Sequence, residues 1–71
     1  MIEVRLFATL RENRGKILYL EPFNTIEDLI NHLNIPAEEV AICLVNGFHS
    51  NLDKKIKDKD IIAIFPPVGG G

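Results

Sequence analysis

The sequence predicts a small α+β domain, with one main helix packed across a sheet. Three observations predict it. Ile2, Val4, Leu6 and Ala8 alternate with Glu3, Arg5 and Phe7, the period of a half-buried strand. Ile26, Leu29, Ile30 and Leu33 fall at i, i+3, i+4 and i+7, one apolar helical stripe. Residues 40–45 and 61–65 are continuous apolar runs, short and rich in β-branched side chains, as buried strands are.

The first strand is expected over residues 2–8, with Ile2, Val4, Leu6 and Ala8 inward. Phe7 then shares the polar face with Glu3 and Arg5, where an aromatic either packs across strands or marks a partner site. Residues 11–15 form a polar connection punctuated by Gly15. A second strand lies within residues 16–21, with Leu18 and Leu20 inward, although Ile17 and Tyr19 make both faces apolar.

Thr25 is the expected N-cap of the helix, and Asp28 completes a Thr-x-x-Asp capping box. Asn34 is a suitable left-handed terminator. Pro36 starts at most one short helical turn over residues 35–39. Asn46-Gly47 after the run at 40–45 is a strong hairpin signal, with Phe48 and His49 beginning the return. Residues 51–60 alternate Lys and Asp and read as a solvated connection. In the final run Ile62 and Ile64 face the helix, which leaves Phe65 beside Phe7 on the open side of the sheet. The expected core is Val4, Leu6, Ile26, Leu29, Ile30, Leu33, Ile62 and Ile64.

Composition excludes several functions. The 71 residues leave room for one domain. Cys43 is the only cysteine, so no disulfide supports the small core, and a reducing compartment fits. The net charge of −2 argues against nucleic acid. No apolar run approaches the roughly 20 residues that span a bilayer. The start of the chain lacks the features of a signal peptide. The expected localisation is therefore cytoplasmic. No metal-ligand cluster or phosphate-binding glycine loop is present. Cys43 has no base or cation beside it in sequence and reads as a structural thiol. His32 reads as a solvated surface histidine, and the adjacent Glu38 and Glu39 as solvated rather than paired. No side chain is expected to be catalytic.

The last stretch, Phe65-Pro66-Pro67-Val68-Gly69-Gly70-Gly71, stands apart. Two prolines fix φ and lack N–H donors, so the sheet ladder is expected to stop there. The glycines accept almost any backbone geometry and carry no side chain. Such a tail can thread a narrow channel and present its terminal carboxylate. The expected organisation is a domain over 1–67 and a flexible glycine tail over 68–71.

This order of elements resembles the ubiquitin-like β-grasp proteins, and along nearly its whole length the chain is similar to the MoaD/ThiS sulfur carriers. The matching pieces are Phe7-Ala8-Thr9-Leu10-Arg11-Glu12, Asn24-Thr25-Ile26, Val45-Asn46-Gly47 and Asp58-Lys59-Asp60-Ile61-Ile62. The ending Phe65-Pro66-Pro67-Val68-Gly69-Gly70-Gly71 is closest to that of MoaD. Lys59 stands where the family usually has Gly, and Gly69 where it has another small residue. The resemblance implies a mixed sheet with the first and last strands parallel and adjacent in its centre, and the helix packed across it.

The resemblance also implies a function. An E1-like adenylating enzyme of the MoeB/ThiF type activates the Gly71 carboxylate with ATP, and a sulfur donor protein converts it to a thiocarboxylate. Gly71 and Gly70 are the sulfur-carrying end. Phe7, Phe48, Phe65, Pro66, Pro67, Val68 and Gly69 are the expected partner-binding residues. The chain itself holds no cofactor; ATP belongs to the partner. A MoaE-type large subunit, or another acceptor enzyme, takes the sulfur. Molybdopterin synthesis is the favoured pathway. The alternatives are a ThiS-like carrier for thiamin thiazole or another metabolite, and a ubiquitin-like modifier conjugated to lysines.

Overall fold

The computed structural model of the chain describes residues 1–67. The glycine tail and its expected flexibility lie outside the described residues. Five strands, β1 (Ile2–Leu6), β2 (Ile17–Leu20), β3 (Ile42–Val45), β4 (Phe48–His49) and β5 (Ile61–Phe65), form one sheet in the order β2-β1-β5-β3-β4. β1 and β5 run parallel, and the other neighbours run antiparallel. The helix α1 (Ile26–His32) supplies Ile26, Leu29 and Ile30 to the core. This is the β-grasp architecture, a mixed sheet with one main helix. None of the helices among the described residues is long and apolar enough to cross a membrane.

Alternation decides the faces of the sheet. Ile2, Val4 and Leu6 of β1 and Ile62 and Ile64 of β5 are fully buried, as are the three helix residues. Leu33, expected in the core, is partly buried against it. Cys43 and Val45 extend the buried set across β3. The 46% apolar share is ordinary for a globular domain, and these residues gather it into one contiguous core.

The helix ends are satisfied in ways the sequence only half announces. The capping box forms: Asp28 N donates to Thr25 Oγ1 at 3.2 Å, and Thr25 N to Asp28 Oδ2 at 3.3 Å. The next free donors, Ile26 N and Glu27 N, reach Lys54 O at 3.1 Å and Leu52 O at 2.9 Å. These are helix N-terminal amides that no intrahelical carbonyl can serve. At the other end Asn34 takes φ 58°, as a left-handed terminator does. Arg14 crosses from the β1–β2 connection and donates to Leu33 O at 2.9 Å, Asn34 O at 3.0 Å and Leu10 O at 3.2 Å. A cation at a helix C-terminus is also favoured by the dipole.

Two expectations are corrected. The first strand stops at Leu6 rather than at residue 8. Ala8 takes φ 53° and starts a 3₁₀ turn, Ala8–Arg11, so its side chain is exposed. The turn delivers Leu10 to the core instead. Alternation could not show this, because the left-handed residue carries no glycine signal. Residues 51–60 are not simply solvated. Ile56 is buried, Leu52 is partly buried, and Lys55 bridges Thr25. Asp60 is buried and accepts from Asn46 Nδ2 and from Lys57 N, both at 2.9 Å.

Candidate functional site

The face of the sheet away from α1 carries the candidate site. Register places its side chains in rows. Ile17 of β2, Arg5 of β1, Ala63 of β5 and Leu44 of β3 form one row. Tyr19, Glu3 and Ile61 form the row toward the start of β5. At the other end Ile42 lies opposite Phe65. Ile17, Tyr19, Ile42 and Ile61 are exposed although they are apolar or aromatic. Among the described residues no helix covers this side, so these apolar side chains meet water on either side of the Glu3–Arg5 ion pair of β1.

Phe7 and Phe65 close the far end of that surface. Their ring centroids are 4.2 Å apart and the planes lie within 10° of parallel. Phe7 follows β1 and Phe65 ends β5, so the parallel pairing of these two strands brings the rings together. Arg11 adds a cation 5.4 Å from the Phe7 ring centroid, held by its Nε donating to Leu6 O at 2.8 Å. The sheet ladder runs to Phe65, whose carbonyl accepts from Ala41 N at 2.9 Å. Pro66 offers no donor beyond it. Pro66 is half-buried and Pro67 exposed. Val68, Gly69, Gly70 and Gly71 lie outside the described residues.

Phe48 does not join this surface. It is paired with Val45, whose side chain faces the core, and cross-strand partners point to the same side. Phe48 therefore stands on the helix side of the sheet, at its β4 edge, 76% exposed. Of the expected partner-binding residues, Phe48 therefore stands apart from Phe7 and Phe65. The alternation rule fails at the hairpin because the two-residue turn, not the sequence count, sets the phase of β4.

The described side chains offer little covalent chemistry. Cys43 is buried, and burial pushes its thiol up to about 11, far from the thiolate a nucleophile needs. His32 rests against the Phe23 ring, with centroids 4.9 Å apart. Among the described residues no group of His, Cys, Asp or Glu is placed to hold a metal ion. What the open face can do is dock: it offers exposed apolar side chains and a stacked aromatic pair beside the point where the chain leaves the sheet. Sequence reasoning overlooked Arg11 and Ile42 here. Arg11 is four residues after Phe7, a spacing that means contact only once the 3₁₀ turn is known. Ile42 follows from alternation through β3.

Comparison with known proteins agrees with this architecture. SAMP1 from Haloferax volcanii is 26% identical, with a TM-score of 0.67, over 99% of this chain and 98% of that one. A chain from the complex of subunits 1 and 2 of the molybdopterin-converting factor from Helicobacter pylori is also 26% identical, with a TM-score of 0.67, over 99% and 97%. A further Haloferax volcanii protein, solved in solution, is 29% identical, with a TM-score of 0.74, over 99% and 85%. Among curated proteins no sequence matches. The ThiS family model matches residues 4–71. With that match running from β1 through the last glycine, on a β-grasp sheet whose central strand leads into the glycines, the chain belongs to the ThiS family.

Proposed function

We propose that this protein is a sulfur carrier whose working group is the carboxylate of Gly71. The observation that supports it best is the extent of the family match, which includes the glycines as well as the fold. A carboxylate is a poor electrophile until one oxygen becomes part of a leaving group. In the proposed sequence a Gly71 oxygen attacks the α-phosphorus of ATP on an E1-like enzyme, and pyrophosphate leaves. Sulfur at the sulfide level then adds to the carbonyl carbon and AMP departs, leaving the thiocarboxylate. The carrier supplies no acid or base. Its domain supplies affinity, through Phe7, Phe65 and the exposed apolar side chains beside them, and Pro66 and Pro67 give a stiff exit. Side chains at Gly70 or Gly71 would obstruct a narrow channel.

The preferred destination is a molybdopterin-type cofactor, delivered through a large catalytic subunit. The Phe65-Pro66-Pro67 ending and the likeness to a chain of the Helicobacter pylori subunit complex support this choice. The likeness to SAMP1 supports a second reading, attachment through Gly71 to protein lysines. The experiment is incubation with the host's E1-like enzyme, ATP and a sulfur source, followed by intact-mass spectrometry. A mass gain equal to one oxygen replaced by sulfur is the expected result. Ligation to lysines of other proteins would favour the modifier. Absence of any ATP-dependent activation overturns both.

A further inference from the structure

We propose that the groove beside Phe48 is a second docking surface, on the side of the sheet opposite Phe7 and Phe65, and that it takes an acidic protein segment bearing an apolar side chain. The proposal is independent of what Gly71 carries. A single exposed aromatic means little on its own. What gives Phe48 weight is its surroundings. It lines a groove of about 500 Å³ with Asn51, Asp53, Lys54, Lys55, Lys57 and Asp60. Three of the eight Lys and Arg residues thus meet in one place, on a chain whose net charge is −2.

These lysines are not occupied by the protein's own carboxylates. Among the described residues none of the three lies within ion-pair distance of an Asp or Glu. Among the described residues Lys55 Nζ donates only to the neutral Asn24 Oδ1, at 3.3 Å. Asp60 also borders the groove, but its two carboxylate oxygens accept from Asn46 Nδ2 and Lys57 N. The lysine-bearing segment is fixed in advance. Lys54 O accepts from Ile26 N, Lys55 is bridged to Thr25, and Ile56 between them and Lys57 is buried. A partner therefore meets a preformed surface and has little ordering to impose.

The chemistry of the occupant follows. Covering the Phe48 ring requires an apolar side chain. Covering the ammonium groups without carboxylates would strip them of water uncompensated. Asp53 in the same groove disfavours a dense polyanion, whose charges cannot be spaced to avoid it. Carboxylates along a peptide can be.

The probe is a peptide of sequence Asp-Glu-Ile-Phe-Glu-Asp, titrated into the 15N-labelled full chain. Amide shifts are expected over residues 46–57 and not at Phe7 or Phe65, with affinity that falls as salt is added. Phe48→Ala is expected to weaken binding about tenfold or more. The pair Lys54→Glu and Lys57→Glu is expected to abolish it, with unchanged melting showing that the fold survives. No shifts over 46–57 overturn the proposal. So does equal binding of the same peptide with its acids replaced by amides. Tighter binding of a single-stranded oligonucleotide would overturn the protein occupant in favour of nucleic acid.

Discussion

Phe7 and Phe65 are stacked face to face, 4.2 Å between centroids, although one follows the first strand and the other ends the last. The contact exists only while β1 and β5 are paired, so the apolar surface is a property of the finished sheet rather than of either segment. Each ring also limits the water that reaches the other. Truncating one therefore changes both the area offered to a partner and the orientation of what remains.

For that reason Phe65→Ala is expected to weaken binding to the cognate adenylating enzyme by roughly 2 kcal/mol or more, as loss of an aromatic anchor does. Phe7→Ala should weaken it as well. A double-mutant cycle measured by calorimetry should show the two losses to be coupled, by about 0.5–1.5 kcal/mol. Unchanged affinity in a folded Phe65→Ala protein removes the stack from the docking surface.

Arg14 joins the β1–β2 connection to the C-terminal end of α1 through carbonyls of Leu33, Asn34 and Leu10. Arg14→Ala should lower stability in urea unfolding by about 2 kcal/mol, because part-buried carbonyls lose a charged donor. Arg14→Lys should recover only part of this, since an ammonium cannot reach three carbonyls with a planar fork. Full recovery by lysine would show that charge alone matters there.

Cys43 titrates at about 11 in the fold against a reference of 9.0, because burial disfavours its thiolate. The folded value is raised, so the contribution is complete below pH 9.0. It is lost as pH rises from 9.0 toward about 11, where the unfolded chain releases a proton that the fold still holds. Stability of the wild type should fall across that window more steeply than that of Cys43→Ala. Alkylation by iodoacetamide should likewise be slow in the native protein and rapid in denaturant.

Lys59 takes φ 71°, a left-handed conformation that its Cβ resists. Glycine adopts that conformation without such resistance. The turn has a glycine-like backbone with a lysine in it. Lys59→Gly should therefore stabilise the protein by about 0.5–1 kcal/mol after allowing for the greater freedom of glycine when unfolded. Thermal melting checks the sign.

The elements were largely legible because their signals are periodic, whereas the strand order was an expectation from the family resemblance. The stripe of Ile26, Leu29 and Ile30, the alternation of Ile2, Val4 and Leu6, and the Asn46-Gly47 turn each specify one local geometry, and the three agree. What was not legible depends on contacts between distant segments. Nothing near Arg14 in sequence announces that it reaches Leu33. Ile56 looks like an isolated apolar residue until the 51–60 connection is laid along the start of α1. Ala8 hides a left-handed turn because alanine carries no sign of it. At the candidate site, Phe7 and Phe65 could be placed by counting along strands, whereas Phe48 required the phase of a hairpin.

The position of β5 has a consequence for how the protein is made. The last strand to leave the ribosome is the central one, flanked by β1 on one side and β3 on the other. Without it, the native pairings left to the earlier strands are two separate antiparallel pairs, β1 with β2 and β3 with β4. Two-stranded ribbons are at best marginally stable in water. The complete sheet therefore cannot form until residues 61–65 are available, and a chain broken off before residue 61 lacks its central strand.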